Sequence, residues 1–96
     1  MISRSNMISK EQKNKIIQKY AIKEGDTGSS QVQIALLTYE IEDLTGHLKQ
    51  HKKDFSSRRG LLKKVGLRRR LMRYLKKEDK GSYETLIKAL KLKDSV

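Results

Sequence analysis

The strongest constraint on the fold is an apolar repeat in the middle of the chain. Between positions 30 and 50, apolar side chains recur at alternating intervals of three and four residues, at Ile34, Leu37, Ile41, Leu44 and Leu48. This spacing puts them on one face of an α-helix, and such a face packs against a neighbouring helix. A second apolar set falls on another side of the helical wheel, at Val32, Leu36 and Tyr39. The pattern predicts a long helix held between two partners.

Helical patterns also flank this segment. The chain has no proline, and the alternating pattern of β-strands is scarce, so the fold class is predicted to be all-α. Ser9 and Gln12 have the capping-box spacing, which predicts a short first helix that ends before Gly25. Ser30 and Gln33 repeat that spacing at the start of the long second helix.

Two more helices are expected in the second half of the chain. The third runs from about residue 57 to 77, with a core face of Leu61, Val65, Met72 and Leu75. Asp79 is the expected N-cap of the fourth, whose apolar face is Tyr83, Leu86, Ile87 and Leu90. The predicted architecture is a short mobile N-terminal helix plus a three-helix core with two long antiparallel helices.

Length and composition limit the function classes. A chain of 96 residues is expected to form one domain, residues 1–96, with a flexible extension at 1–8 and a polar tail at 92–96. The absence of cysteine excludes disulfide scaffolds and sulfur-ligated zinc fingers. No apolar run approaches the roughly 20 residues needed to span a bilayer.

The charge is large and unevenly distributed. The formal net charge is +12, and residues 47–80 hold 14 Lys and Arg against 3 Asp and Glu. Almost all of the excess therefore lies in one third of the chain. A face of this charge density repels itself, and binding to a phosphate backbone relieves the repulsion by releasing counterions. The expected partner is a nucleic acid.

Polar residues that are not basic indicate which nucleic acid is bound. His47, His51, Asp54 and Ser57 surround the predicted turn between the second and third helices. Phosphate would repel Asp54, but its carboxylate can accept a hydrogen bond from a base amine or a ribose hydroxyl. The shallow minor groove of A-form RNA exposes both groups, so RNA is favoured over DNA. A helix-capping role for Asp54 is an alternative that can coexist with RNA contact.

Catalytic and metal sites are not expected. His47 and His51 have a spacing that could ligate a metal, but no cysteine or general base accompanies them. No strained nucleophile turn precedes Ser57, and Gly25 and Gly28 lack the strand and lysine of a phosphate-binding loop. We therefore predict neither an enzyme nor a cofactor.

A second contact is predicted toward the other end of the hairpin. Tyr74 lies on the basic side of the third helix, where it either stacks on an unpaired base or packs into the core. A polar stripe on the second helix aligns Gln33, Glu40, His47 and His51. The stripe spans roughly 27 Å at 1.5 Å per residue, so it could hold two RNA contacts at a fixed distance.

Several runs of residues closely resemble one family. These are Asp26-Thr-Gly-Ser, Val32-Gln-Ile-Ala-Leu-Leu-Thr38, His47-Leu-Lys-Gln-His51-Lys-Lys-Asp54, Ser57-Arg-Arg-Gly-Leu61 and Arg69-Arg-Leu71 with Tyr74-Leu75. Over about residues 9 to 92 the chain is similar to the bacterial-type small ribosomal subunit protein fifteen family.

The resemblance implies a structural protein of the small ribosomal subunit. Such a protein binds a three-way junction in the central domain of 16S ribosomal RNA, nucleates assembly and helps bridge to the large subunit. Implied partners are 16S rRNA, other small-subunit proteins, large-subunit rRNA and the chain's own messenger RNA, with no membrane. The implied location is the cytoplasmic ribosome, with an organelle ribosome as an alternative.

The family's contacts transfer to matching positions of this chain. The implied junction contacts, with Arg70 added from the basic face, are Thr27, Gly28, Gln33, Arg70, Tyr74 and Lys77. The implied minor-groove contacts are His47, His51, Asp54 and Ser57. Expected phosphate contacts are Lys52, Lys53, Arg58, Arg59, Lys63, Arg69 and Arg73.

Some positions depart from the family pattern, and two other functions are alternatives. Glu40 stands where several relatives have Arg or Gln, Lys77 where Arg is frequent, and Phe55 where His is common.

A sequence-tolerant nucleoid-type protein that binds DNA or RNA would explain the charge, but not Asp54. A membrane-surface binder would need bulky apolar residues beside the charges, whereas the third helix is predicted to keep its leucines on the core side.

Overall fold

The computed structural model describes residues 9–21 and 28–92, and these residues form four helices. They are α1 (Lys10–Tyr20), α2 (Ser30–Gln50), α3 (Phe55–Glu78) and α4 (Lys80–Leu90). The predicted all-α class with four helices is confirmed. Residues 1–8, 22–27 and 93–96 lie outside the described part, and with them the expected N-terminal extension, Thr27 and most of the polar tail.

Two long helices form the body of the structure. α2 and α3 are joined by the short turn 51–54 and share the largest helix interface in the described part of the chain. Lys64 Nζ lies 3.1 Å from Glu40 Oε1, and Arg68 Nη1 donates to Thr38 Oγ1 at 3.2 Å. The second pair is farther from the turn than the first on both helices, so the helices are antiparallel, as predicted.

The main core lies at the end of the hairpin remote from the turn. α4 folds back against α3 and the start of α2, while α1 packs on α2. The principal buried cluster comprises Ile16, Ile34, Ala35, Met72, Leu75, Tyr83, Leu86, Ile87 and Leu90. The predicted apolar face of α4 is thus confirmed. Within the described residues, no helix is both long and apolar enough to cross a membrane.

The helix caps correct two predicted boundaries. The N-cap of α2 is Ser29, not Ser30: its extended backbone (φ −65°, ψ 161°) lets the hydroxyl accept from Val32 N–H at 3.3 Å. Gln33 does not close a capping box and donates from Nε2 to the Gly28 carbonyl at 2.7 Å. α3 starts at Phe55, two residues earlier than predicted, and its N-cap is Asp54, so the helix-capping alternative for Asp54 is confirmed.

The predicted core face of α3 is only partly correct. Met72 and Leu75 are buried, but Leu61 and Val65 are half-buried. Leu62 is 65 % exposed, so the expectation that this helix keeps its leucines on the core side is wrong. The cause is tertiary: α1 packs on α2, and α4 follows the far end of α3, so neither covers this side of the first half of α3.

Candidate nucleic-acid interface

The turn between α2 and α3 is built around the carboxylate of Asp54. As the N-cap of α3, Asp54 accepts from Ser57 N–H at its Oδ1 (3.1 Å) and from the Ser57 hydroxyl at its Oδ2 (2.7 Å). Nε2 of His47, in the last turn of α2, lies 2.8 Å from the same Oδ2. An ionised carboxylate only accepts, so Nε2 carries the proton and donates. The Asp54 carboxylate therefore caps α3 through two hydrogen bonds and connects α3 to α2 through a third.

These hydrogen bonds stabilise the charged form of Asp54. They lower its pKa from 3.8 to about 2, chiefly through His47, then through the hydroxyl and backbone N–H of Ser57. The Asp54 side chain is one third exposed, whereas that of His47 is 6 % exposed. The turn thus presents a fixed, ionised acceptor at the surface, and capping does not use all of its hydrogen-bonding capacity.

The lowered pKa predicts how stability depends on pH. A depressed carboxyl pKa stabilises the folded state above the unfolded pKa, and the effect disappears as the pH falls through the folded pKa. We expect the difference in unfolding free energy between wild type and Asp54→Ala to shrink as the pH falls from about 4 toward about 2. Urea unfolding at a series of pH values measures this difference. A difference that does not change with pH would contradict the ionised hydrogen-bonded cluster.

His51 completes the predicted minor-groove set. Its ring stacks on that of His47, with centroids 4.6 Å apart and an angle of 28° between the planes. An open concavity of about 600 Å³ is lined by His47, His51 and Asp54 together with Gln50, Lys52 and Lys53. The structure therefore brings together the four predicted residues His47, His51, Asp54 and Ser57. In the described part of the chain, no group of three or more His, Cys, Asp or Glu side chains could hold a metal ion.

Cationic side chains lie beside this cluster and continue from it along α3. All seven predicted phosphate contacts are exposed, namely Lys52, Lys53, Arg58, Arg59, Lys63, Arg69 and Arg73. Arg58 is also held in position, because its Nη2 donates to the carbonyl of Lys52 at 2.8 Å. The acidic Asp54 thus lies within a basic surface. This arrangement suits a site in which the cations contact phosphates and Asp54 makes a polar contact between them.

The predicted junction contacts lie toward the opposite end of the hairpin. Gly28 and Gln33 are at the start of α2, and Tyr74 and Lys77 are near the end of α3. Tyr74 is 57 % exposed, which excludes the alternative of a core tyrosine. Arg70 and Lys77 are exposed as well. Thr27, the remaining member of this set, lies outside the described residues.

Two polar contacts between the helices were not predicted from the sequence. Glu40 pairs with Lys64, which offsets the negative charge on the α2 stripe. Arg68 donates to Thr38 from the core side of α3, and burial lowers its pKa. On the helical wheel Arg68 falls on the core face of α3, which was a signal that it is not a surface cation. The pairing of Arg68 with Thr38 and of Lys64 with Glu40 depends on the register of α2 against α3, which the sequence does not show.

Known proteins resemble the chain over most of its length. The model of a family described as Ribosomal protein S15 matches residues 13–93. Proteins called "Small ribosomal subunit protein uS15" are similar: that of Limosilactobacillus fermentum is 56 % identical, and those of Streptococcus gordonii and Streptococcus pneumoniae are 57 % identical. Each alignment spans 86 residues, 90 % of this chain and 97 % of the relative.

Proposed function

Because the chain belongs to the ribosomal protein S15 family, we propose that it is a structural component of the small ribosomal subunit that binds a three-way junction of 16S rRNA. Membership supports the prediction that the chain is not an enzyme, since the family consists of ribosomal proteins. Its partners are then rRNA and other proteins of the subunit, and its location is the cytoplasmic ribosome.

The observation that carries the RNA contact is the ionised Asp54 in a cationic surface. For nucleic-acid binding by charge alone a carboxylate there is unfavourable, because phosphate repels it, and capping α3 does not use all of its acceptor capacity. Asp54 instead can accept from a base amine or a ribose hydroxyl in a minor groove, while the lysines and arginines beside it contact phosphates. His51, stacked on His47, offers a polar ring edge to the same groove.

A second contact turns groove binding into recognition of a junction. The exposed Tyr74 can stack on a base that a junction leaves unpaired, with Arg70 and Lys77 available for phosphates nearby. From Gln33 to His51, α2 holds the two contacts roughly 27 Å apart. Antiparallel packing against α3 keeps this distance fixed.

The mechanism is preferential binding to one RNA conformation. If the two contacts can form together only on the folded junction, the protein shifts the junction population by the ratio of its affinities for the two forms. Such a shift accounts for a role in early subunit assembly. The bridge to the large subunit and repression of the chain's own messenger RNA extend the proposal, and they are supported by the family resemblance alone.

A competition titration across salt concentrations tests the proposal. The full chain is bound to a labelled small-subunit three-way junction, with a plain RNA duplex and a DNA duplex of equal charge as competitors. The junction should be preferred by about a thousandfold or more at physiological salt. If the three compete equally, binding is generic counterion release, and the nucleoid-type alternative replaces the proposal.

A further inference from the structure

An aromatic ring is exposed beside the Asp54 cluster. Phe55, the first residue of α3, is 63 % exposed although it follows directly after the N-cap Asp54. A phenylalanine left in water at this position gains no stability from burial. Phe55 is in none of the three predicted sets of RNA contacts, and none of the contacts proposed above uses it.

The ring is not an isolated apolar residue, because a cation lies over it. The guanidinium carbon of Arg58 is 5.8 Å from the centroid of the Phe55 ring. Arg58 is itself anchored through its hydrogen bond to the Lys52 carbonyl. The pair therefore presents an aromatic ring and a planar guanidinium, the two kinds of surface on which proteins stack unpaired RNA bases.

Charge favours RNA as the occupant over a protein or a lipid. Arg58 and Arg59 are exposed near the start of α3, and Lys52 and Lys53 are exposed in the preceding turn. These cations complement a phosphate backbone. The ring also adjoins Asp54 in the chain, so a duplex held at Asp54 would bring its own nucleotides within reach of Phe55.

We propose that Phe55, with Arg58 against it, is a stacking site for one unpaired nucleobase at the edge of the minor-groove contact. This inference rests on the proposed function and adds a third contact to it. The site takes a bulged or flipped-out nucleotide, because a base within a regular duplex has both faces covered by its neighbours. Recognition is by stacking, so it favours an unpaired base over a paired one with little regard to base identity.

The test compares three RNA duplexes that differ at one position. One is uninterrupted, one carries a single bulged adenosine, and one carries an abasic residue at the bulge. For the full chain, Phe55→Ala should weaken binding to the bulged duplex about five- to a hundredfold. It should leave binding to the other two unchanged. Phe55→Leu, which retains apolar bulk without a ring, should behave like Phe55→Ala.

Leu62 provides a matched control. It is 65 % exposed and lies two turns further along the same side of α3, so Leu62→Ala removes exposed apolar area without removing a ring. Leu62→Ala should have no effect on any of the duplexes. Equal losses from Phe55→Ala and Leu62→Ala, or a loss that is the same on bulged and uninterrupted RNA, would overturn the stacking site. Binding to anionic vesicles that requires both residues would point to a lipid surface instead.

A fluorescence measurement gives a direct readout. The chain has no tryptophan, so Phe55→Trp introduces a single reporter at the proposed site. Its emission should be quenched by the bulged duplex but not by the abasic one. Leu67→Trp, on another side of α3, should not distinguish them. None of these outcomes depends on the three-way junction, so a failure here would leave the junction proposal in place. A failure of the proposed function would instead show as a loss of junction preference in the competition titration, so the two failures are distinguishable.

Discussion

Replacing Asp54 with alanine is expected to weaken binding to the junction RNA by about ten- to a hundredfold, with little change in binding to a plain DNA duplex. The substitution removes the acceptor offered to the minor groove. It also releases His47 and Ser57, whose hydrogen bonds to the carboxylate fix the turn. Titration of labelled junction RNA with each protein measures the loss.

Asp79 is the matched control for this substitution. It caps α4 with the same pair of hydrogen bonds: Ser82 N–H donates to Oδ1 at 3.1 Å and the Ser82 hydroxyl donates to Oδ2 at 2.7 Å, equal to the corresponding distances at Asp54. Either alanine variant should lower the free energy of unfolding through the lost cap. Only Asp54 is also bonded to a histidine of α2, so Asp79→Ala should leave RNA binding unchanged. Equal losses of RNA affinity would mean that Asp54 acts only by capping a helix.

Replacing Tyr83 with alanine should lower the free energy of unfolding by about 3–5 kcal/mol, as for other large aromatic side chains in a core. Tyr83 is completely buried and belongs to the cluster that joins α4 to α2 and α3. Its removal leaves a cavity that the surrounding helices can fill only partly. Urea unfolding followed by circular dichroism measures the change.

Tyr74 is the comparison for Tyr83, and it separates an effect on stability from an effect on RNA binding. Tyr74 is largely exposed, so Tyr74→Ala should change the unfolding free energy by no more than about 0.5 kcal/mol. It should nevertheless weaken junction binding, because it removes the proposed stacking surface. If Tyr74→Ala destabilised the fold as much as Tyr83→Ala, Tyr74 would be a packing residue and the junction contact would lose its main support.

Helical periodicity accounts for the parts of the fold that could be predicted. A stripe such as Ile34, Leu37 and Ile41 needs only a local spacing to be recognised, and the face of α4 is predicted in the same way. The cap of α2 was assigned one residue too late, because Ser29 and Ser30 are adjacent and both could supply the hydroxyl. Only the backbone conformation distinguishes them.

Tertiary arrangement accounts for what was missed. A helical wheel shows the direction of Leu62 but not whether another helix covers it, and none of the described helices does. The pairing of Glu40 with Lys64 joins residues 24 positions apart, so it depends on the register of α2 against α3. No local pattern encodes that register.

The candidate site likewise has features that the local sequence predicts and features that only the tertiary structure shows. His47, Asp54 and Ser57 are close in sequence around one turn, so their proximity was predictable, although the hydrogen bonds that orient the carboxylate were not. The exposure of Tyr74 was left open by its sequence pattern and was decided only by the packing of α3 against α2 and α4. Phe55 drew attention only as a departure from the family pattern, and its exposure needed the structure.

The most direct test of the two-contact mechanism varies the distance between the contacts in the RNA. Base pairs are inserted, up to half a helical turn, between the three-way junction and the minor-groove site, and the affinity of each RNA is measured. Because α2 and α3 fix the protein's spacing, affinity should fall at half a turn to that of an RNA lacking one site. Asp54→Ala should be insensitive to the insertion. Affinity that does not depend on the spacing would contradict simultaneous recognition of junction and groove.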